Sequence, residues 1–139
     1  MNSNLVRDWM TPDPITISSD VDLPEAYWLM VNNKIRRLPV VDRGVLVGII
    51  TLEDLRRMIP ADVIRVDPVR VSDMLSKMPV RRMMTRDPKT VSASAPLIEA
   101  ARQMLEHKIG ALPVMEGGNL VGIITESDIF RALVKQLQT

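Results

Sequence analysis

The sequence predicts an α/β fold of two βαββα half-domains packed about a pseudo-two-fold axis into one compact module. Three observations predict it: an internal repeat, the order of elements inside each copy, and a length of 139 residues, one ordinary domain's worth. The two copies align without a gap at an offset of 74 residues, Val6 to Ile59 over Val80 to Leu133. At that offset Met10/Met84, Thr11/Thr85, Asp13/Asp87, Pro14/Pro88, Thr16/Thr90 and Glu25/Glu99 coincide. So do Leu38-Pro39-Val40 with Leu112-Pro113-Val114, and Leu46 to Thr51 with Leu120 to Thr125. Solenoid arrays repeat every ~20–50 residues and need roughly three copies to bury a core. Two copies of a longer unit imply two half-domains related by an axis, and such an axis generates paired clefts.

Each copy carries the same punctuation. Asp13-Pro14 and Asp87-Pro88 break the chain ahead of the short β-prone stretches Ile15-Thr16-Ile17 and Thr90-Val91-Ser92. An amphipathic helix follows, with Leu23, Ala26, Tyr27, Met30 and Val31 at helical spacing in one copy and Leu97, Ala100, Ala101, Met104 and Leu105 in the other. Pro24 suits the start of that helix. Two strands joined by a turn come next, Leu38 to Val41 and Val45 to Ile50 around Asp42-Arg43-Gly44, then Leu112 to Met115 and Asn119 to Ile124 around Glu116-Gly117-Gly118. A second helix closes each copy. The order strand, helix, strand, strand, helix argues an α/β unit with helices covering a sheet.

These signals divide the chain into a first repeat over residues 1–60, a connector over 61–79 and a second repeat over 80–139. Pro60, Pro68 and Pro79 fragment the connector, and Val71, Met74, Leu75 and Met78 predict a short helix within it. The final helix, Ser127 to about Gln138, places Ile129, Phe130, Leu133, Val134 and Leu137 on one stripe. That stripe reads as core, with packing against a second chain as the alternative. Trp9 and Trp28 have no aromatic counterpart in the second copy, which marks one of them for exposure at a dimer surface.

Composition narrows the function classes. Apolar residues make up 46% and charged residues 25%, a globular balance. With 18 basic against 17 acidic residues, nothing pulls the chain toward nucleic acid or a membrane surface. The absence of cysteine excludes disulfides, thiolate metal sites and a Cys nucleophile, and fits a reducing cytoplasm. No apolar run approaches the ~20 residues that span a bilayer, and the polar Met1 to Asn4 leads straight into the first repeat. A soluble, cytoplasmic protein is expected.

The chemistry sits where the second hairpin strand turns into the closing helix, at Thr51-Leu52-Glu53-Asp54 and Thr125-Glu126-Ser127-Asp128. One reading of Thr-x-x-Asp is a capping box, in which the Thr hydroxyl accepts from a first-turn N–H and the acid faces back toward the cap. The other is ligand binding: the helix start offers free N–H groups to a phosphate, and an ionised Asp can accept two hydrogen bonds from a ribose diol. Both can hold at once.

Taken together, the Met-Thr-x-Asp-Pro openings at Met10 and Met84, the Leu-Pro-Val blocks and the Gly-Ile-Ile-Thr-x-x-Asp endings make the chain resemble a tandem CBS domain pair, the module named for cystathionine β-synthase. The resemblance covers both repeats. It implies a regulatory, non-catalytic module whose two clefts take adenosine-containing ligands, AMP, ADP or ATP, or S-adenosylmethionine, with no required cofactor. It further implies that each cleft joins the Thr-x-x-Asp of one repeat to the segment ahead of Leu-Pro-Val of the other. One set is then Ile123, Thr125 and Asp128 with Ile15, Ile35, Arg36 and Arg37. The second is Ile49, Thr51 and Asp54 with Lys89, Ile109, Gly110 and Ala111. Two arginines in the first set stand where the second has Gly110 and Ala111, and guanidinium suits phosphate by geometry as well as charge. The first set is therefore expected to take the more anionic nucleotide, or to bind more tightly. The resemblance also implies a homodimer formed through helices.

Catalysis finds no constellation. A single histidine, His107, has no partner at metal-ligand spacing, no Ser-His-Asp set assembles around it, and the glycines form no phosphate-binding loop. Three readings remain: a nucleotide-sensing module acting alone or on a separate regulated protein, a ligand-independent interaction and dimerisation module, and a small nucleotide-using enzyme. The first is favoured because both Thr-x-x-Asp pairs are retained.

Overall fold

The computed structural model describes residues 4–57, 69, 73 and 78–138. In chain order its elements are α1 (Val6–Trp9), β1 (Thr11–Pro12), α2 (Leu23–Asn32), β2 (Arg37–Asp42), β3 (Val45–Thr51), α3 (Leu52–Arg56), a 3-10 turn (Val80–Arg82), β4 (Thr85–Arg86), β5 (Val91–Ser92), α4 (Leu97–His107), β6 (Ala111–Glu116), β7 (Asn119–Thr125) and α5 (Glu126–Leu137). The helix expected around Val71, Met74 and Leu75 lies outside the described residues.

Two compact units form, and they cut across the sequence repeats. Ile15–Asp87 make one; the residues up to Pro14 join those from Pro88 onward to make the other. They are called the first and second unit below, after the repeat that supplies the hairpin.

In the first unit β2 and β3 form an antiparallel hairpin with β4 on its far edge. The two-residue loop Arg43-Gly44 has positive φ at both positions, 51° and 79°, the primed turn whose twist matches the strands. Leu23, Met30, Leu38, Val40, Ile50 and Leu55 are fully buried between sheet and helices. Asp22 caps α2 by accepting the Glu25 N–H at 3.0 Å, and Pro24 sits in its first turn.

The second unit repeats this plan with β6, β7, α4 and α5. Its sheet has four strands, β1-β7-β6-β5, with β5 parallel to β6. The corresponding strand of the first unit, expected at Ile15 to Ile17, shrinks to a single bridge between Ile17 and Val40. The reason is local. In the second unit the Ala93 N–H continues the ladder to the Met115 carbonyl at 3.0 Å. At the equivalent place the Ser19 N–H donates instead to the Asp42 carboxylate at 2.9 Å, and the Ser19 hydroxyl donates to the same carboxylate at 2.6 Å.

The opening segment of each repeat completes the sheet of the other. β1 lies antiparallel to β7, pairing Thr11 with Ile123 and Pro12 with Gly122; β4 lies antiparallel to β3, pairing Thr85 with Ile49 and Arg86 with Gly48. The Val6 N–H donates to Ala95 and the Val80 N–H to Val21, at 2.9 and 2.8 Å. Val6 is fully buried in the second unit's core and Val80 in the first's. Glycine is required where these arms cross. A Cβ on Gly48 would stand 2.6 Å from Met84 Sδ and 2.9 Å from the Thr85 carbonyl oxygen, and one on Gly122 2.5 Å from Met10 Sδ and 2.9 Å from the Thr11 oxygen.

Two expectations about burial are corrected. The α5 stripe is not core: Phe130, Leu133, Val134 and Leu137 are exposed, and the helix buries only Asp128 and Ala132 with part of Ile129. Helical spacing reveals a stripe but not what faces it, and here the face toward the sheet is narrow. Neither tryptophan is exposed. Trp9 packs on the second unit's core and Trp28 on the first's, edge-on to Tyr27.

Candidate functional site

Each unit presents a Thr-x-x-Asp at the point where its central strand turns into a helix. β3 delivers Thr51 to the start of α3, and β7 delivers Thr125 to the start of α5, both threonines in extended conformation. The Asp three residues on faces back in both units, because positions N-cap and N3 of a helix are neighbours across its first turn.

At Thr51 the capping box is closed from both sides. Asp54 Oδ2 accepts the Thr51 N–H at 3.0 Å, and Thr51 Oγ1 accepts the Asp54 N–H at 3.1 Å. Asp54 Oδ1 faces Arg57 at 3.5 Å. At Thr125 the carboxylate is gripped more tightly: Asp128 Oδ2 accepts the Thr125 N–H at 2.8 Å and the Thr125 hydroxyl at 3.2 Å, while Oδ1 pairs with Arg131. Asp128 is 2% exposed, the one polar or charged side chain buried among the described residues. An ionised carboxylate has about four lone-pair positions, so each Asp retains acceptor capacity beyond its cap.

The segments ahead of Leu-Pro-Val lie beside these helix starts within the same unit. In the first, the Leu52 N–H donates to the Arg36 carbonyl at 2.8 Å and Arg37 pairs with Thr51 across the hairpin. In the second, the Glu126 N–H donates to the Gly110 carbonyl at 3.1 Å and Ala111 pairs with Thr125. Ile35 and Ile109 rest on their units' cores, and Ile49 and Ile123 lie half-buried in the central strands. Ile15 and Lys89 are exposed on the extended segments after the two Asp-Pro steps. The first unit thus gathers Ile35, Arg36, Arg37, Ile49, Thr51 and Asp54, and the second gathers Ile109, Gly110, Ala111, Ile123, Thr125 and Asp128.

Sequence reasoning missed three charged partners. Arg36 forms an ion pair with Glu53, and Arg57 and Arg131 pair with Asp54 and Asp128. The last two were findable: Arg57 and Arg131 coincide at the repeat offset, three residues beyond each Asp, where helix neighbours meet. Glu53 gave no such signal, since its counterpart is Ser127. Among the described residues no three His, Asp or Glu side chains gather as a metal site, and no helix is long and apolar enough to cross a membrane.

Duplicated hairpin-and-helix units of this kind, each with a Thr-x-x-Asp helix start, define a tandem α/β module. The profile described as CBS domain matches residues 6–61 and 80–135, and the chain belongs to that family. It is 36% identical over 139 residues to a CBS domain-containing protein of Dictyostelium discoideum, covering 96% of this chain and 94% of that one. Among solved structures, it resembles CBSX2 in complex with AMP, with a TM-score of 0.78 and 29% identity over 96% of this chain and 98% of the other. It likewise resembles the CBS domain pair of protein MJ0100 in complex with 5′-methylthioadenosine and S-adenosyl-L-methionine, with a TM-score of 0.76 and 30% identity over 95% and 97%.

Proposed function

We propose that this chain is a regulatory, non-catalytic module that binds an adenosine-containing ligand, with an adenine nucleotide (AMP, ADP or ATP) preferred over S-adenosylmethionine. The observation that carries the reading is the pair of Thr-x-x-Asp helix starts, each with a carboxylate held in place by its own backbone and an arginine. A fixed carboxylate is a ready acceptor for a ribose diol, because no side-chain freedom is lost on binding. The similar CBSX2 and MJ0100 structures hold AMP, 5′-methylthioadenosine and S-adenosyl-L-methionine, all built on adenosine. The proposed sets are Thr125, Asp128 and Ile123 with Ile15, Ile35, Arg36 and Arg37, and Thr51, Asp54 and Ile49 with Lys89, Ile109, Gly110 and Ala111. Arginine in the first set and its absence from the second support tighter, more phosphate-dependent binding in the first.

Isothermal titration of nucleotide-stripped protein with AMP, ADP, ATP and S-adenosylmethionine tests the reading, with circular dichroism to check that each variant folds. Asp128→Ala is expected to abolish the tight site and Asp54→Ala to leave it. The two sets are reversed if Arg36→Ala with Arg37→Ala changes nothing while Asp54→Ala removes binding.

A second reading has its own observation. Phe130, Leu133, Val134 and Leu137 on α5, with Leu105 and Ile98 on α4, put large apolar side chains in water on the second unit. This supports a homodimer, formed with or without ligand. Light scattering after size exclusion is expected to give a dimer mass that Phe130→Glu with Val134→Glu reduces to the monomer.

A further inference from the structure

We infer that Glu53 sets the charge preference of the nucleotide set containing Arg36, by competing with a ligand phosphate for that guanidinium. The inference rests on the proposed reading that Arg36 faces the nucleotide.

The Arg36–Glu53 pair joins the end of the loop after α2 to the first turn of α3. Both side chains are about half exposed, 58% and 42%, so a solute reaches them without opening the core. Within the Arg36–Glu53 pair the two charges cancel, and a phosphate arriving at Arg36 meets no net attraction until Glu53 is displaced. Glu53 has no capping duty: Thr51 and Asp54 close the box between themselves. In the second unit the positions of Arg36 and Glu53 are Gly110 and Ser127, so this competition exists in one repeat only.

The pair is weak enough to yield. An exposed ion pair contributes at most a factor of about five to an equilibrium constant and is screened by salt. Releasing Arg36 therefore favours a phosphorylated ligand by a few-fold and leaves an uncharged nucleoside unaffected. Glu53 thus lowers the affinity for phosphorylated ligands by that factor and leaves the uncharged nucleoside untouched, which narrows the preference for charged over uncharged adenosine compounds.

The test is titration of adenosine, AMP, ADP and ATP against the unmodified chain, Glu53→Gln, Arg36→Gln and the double variant. Glu53→Gln is expected to tighten AMP about two- to fivefold and to leave adenosine unchanged. The gain is expected to vanish in the Arg36→Gln background and to shrink as salt is raised. Equal gains for adenosine and AMP, or no gain at all, overturn the role of Glu53. If AMP binding persists and Asp128→Ala removes it, that failure leaves the adenosine-module reading standing. If no adenosine compound binds the folded chain or any variant, the reading and the inference fall together.

Discussion

The first and second units begin from the same sequence blocks and differ most at two places, the strand before the first long helix and the helix start that follows the hairpin. In the second unit Ala93 leaves its N–H to the ladder and a two-residue strand, β5, survives. In the first, Ser19 and Asp42 bond to each other and the strand is reduced to one bridge. The second unit buries its Asp128 with Arg131 as partner, while the first spreads four charges over Arg36, Glu53, Asp54 and Arg57. The two copies share a frame, and the polar residues at its margins leave one carboxylate buried in the second unit and four charges paired about the helix start of the first.

The sharpest way to test how far the units are alike is at their glycines. Gly48→Ala and Gly122→Ala each drive a Cβ into a methionine sulfur and a backbone oxygen of the arm crossing over. Overpacking against backbone is expected to cost about 3 kcal/mol in each unit, read by urea unfolding. A cost at one glycine only would show that the two crossings are not equivalent.

The exchanged arms give the next largest effect and break any assumption that a repeat is stabilised by its own residues. Val6→Ala is expected to cost roughly 2 kcal/mol and to raise amide exchange in α4, which belongs to the other repeat. Val80→Ala is expected to do the same to α2. Loosening confined to the mutated residue's own repeat would contradict the packing.

The smallest effect separates the units by pH. The Ser19 hydroxyl and N–H, with Arg43 and Arg81 nearby, hold the Asp42 carboxyl below its ordinary 3.8. A lowered carboxylate stabilises the fold above about pH 3.8 and loses that contribution as pH falls through its folded value. Ser19→Ala is expected to lower Tm slightly at neutral pH and to match the parent in strong acid; a constant difference across pH would rule out Asp42 as the cause.

Much of this was legible in the residues. The 74-residue offset, the hairpins around Arg43-Gly44 and Gly117-Gly118, and the Thr-x-x-Asp helix starts all appear where periodicity and turn chemistry put them. The exchange of arms was not, because Met-Thr-x-Asp-Pro reads identically in both copies and fits either sheet. The shortened strand was hidden because Ile15-Thr16-Ile17 is β-prone and only a hydrogen bond from Ser19 to distant Asp42 ends it. The exposure of the α5 stripe was hidden because period reports a face and not its neighbour. Arg36 was singled out for a ligand, yet its partner Glu53 belongs to a position the repeat does not share.

The arms also fix where mechanical load travels. Tension applied ahead of Val6 is carried by hydrogen bonds to Ala93 and Ala95 and by β1 on β7, so it enters the sheet of the second repeat before it reaches the hairpin of the first. Tension arriving from the chain ahead of Val80 passes likewise into Ser19 and Val21 of the first repeat. Each arm is thus anchored in the opposite copy's sheet, so pulling out one copy also removes an edge strand from the other.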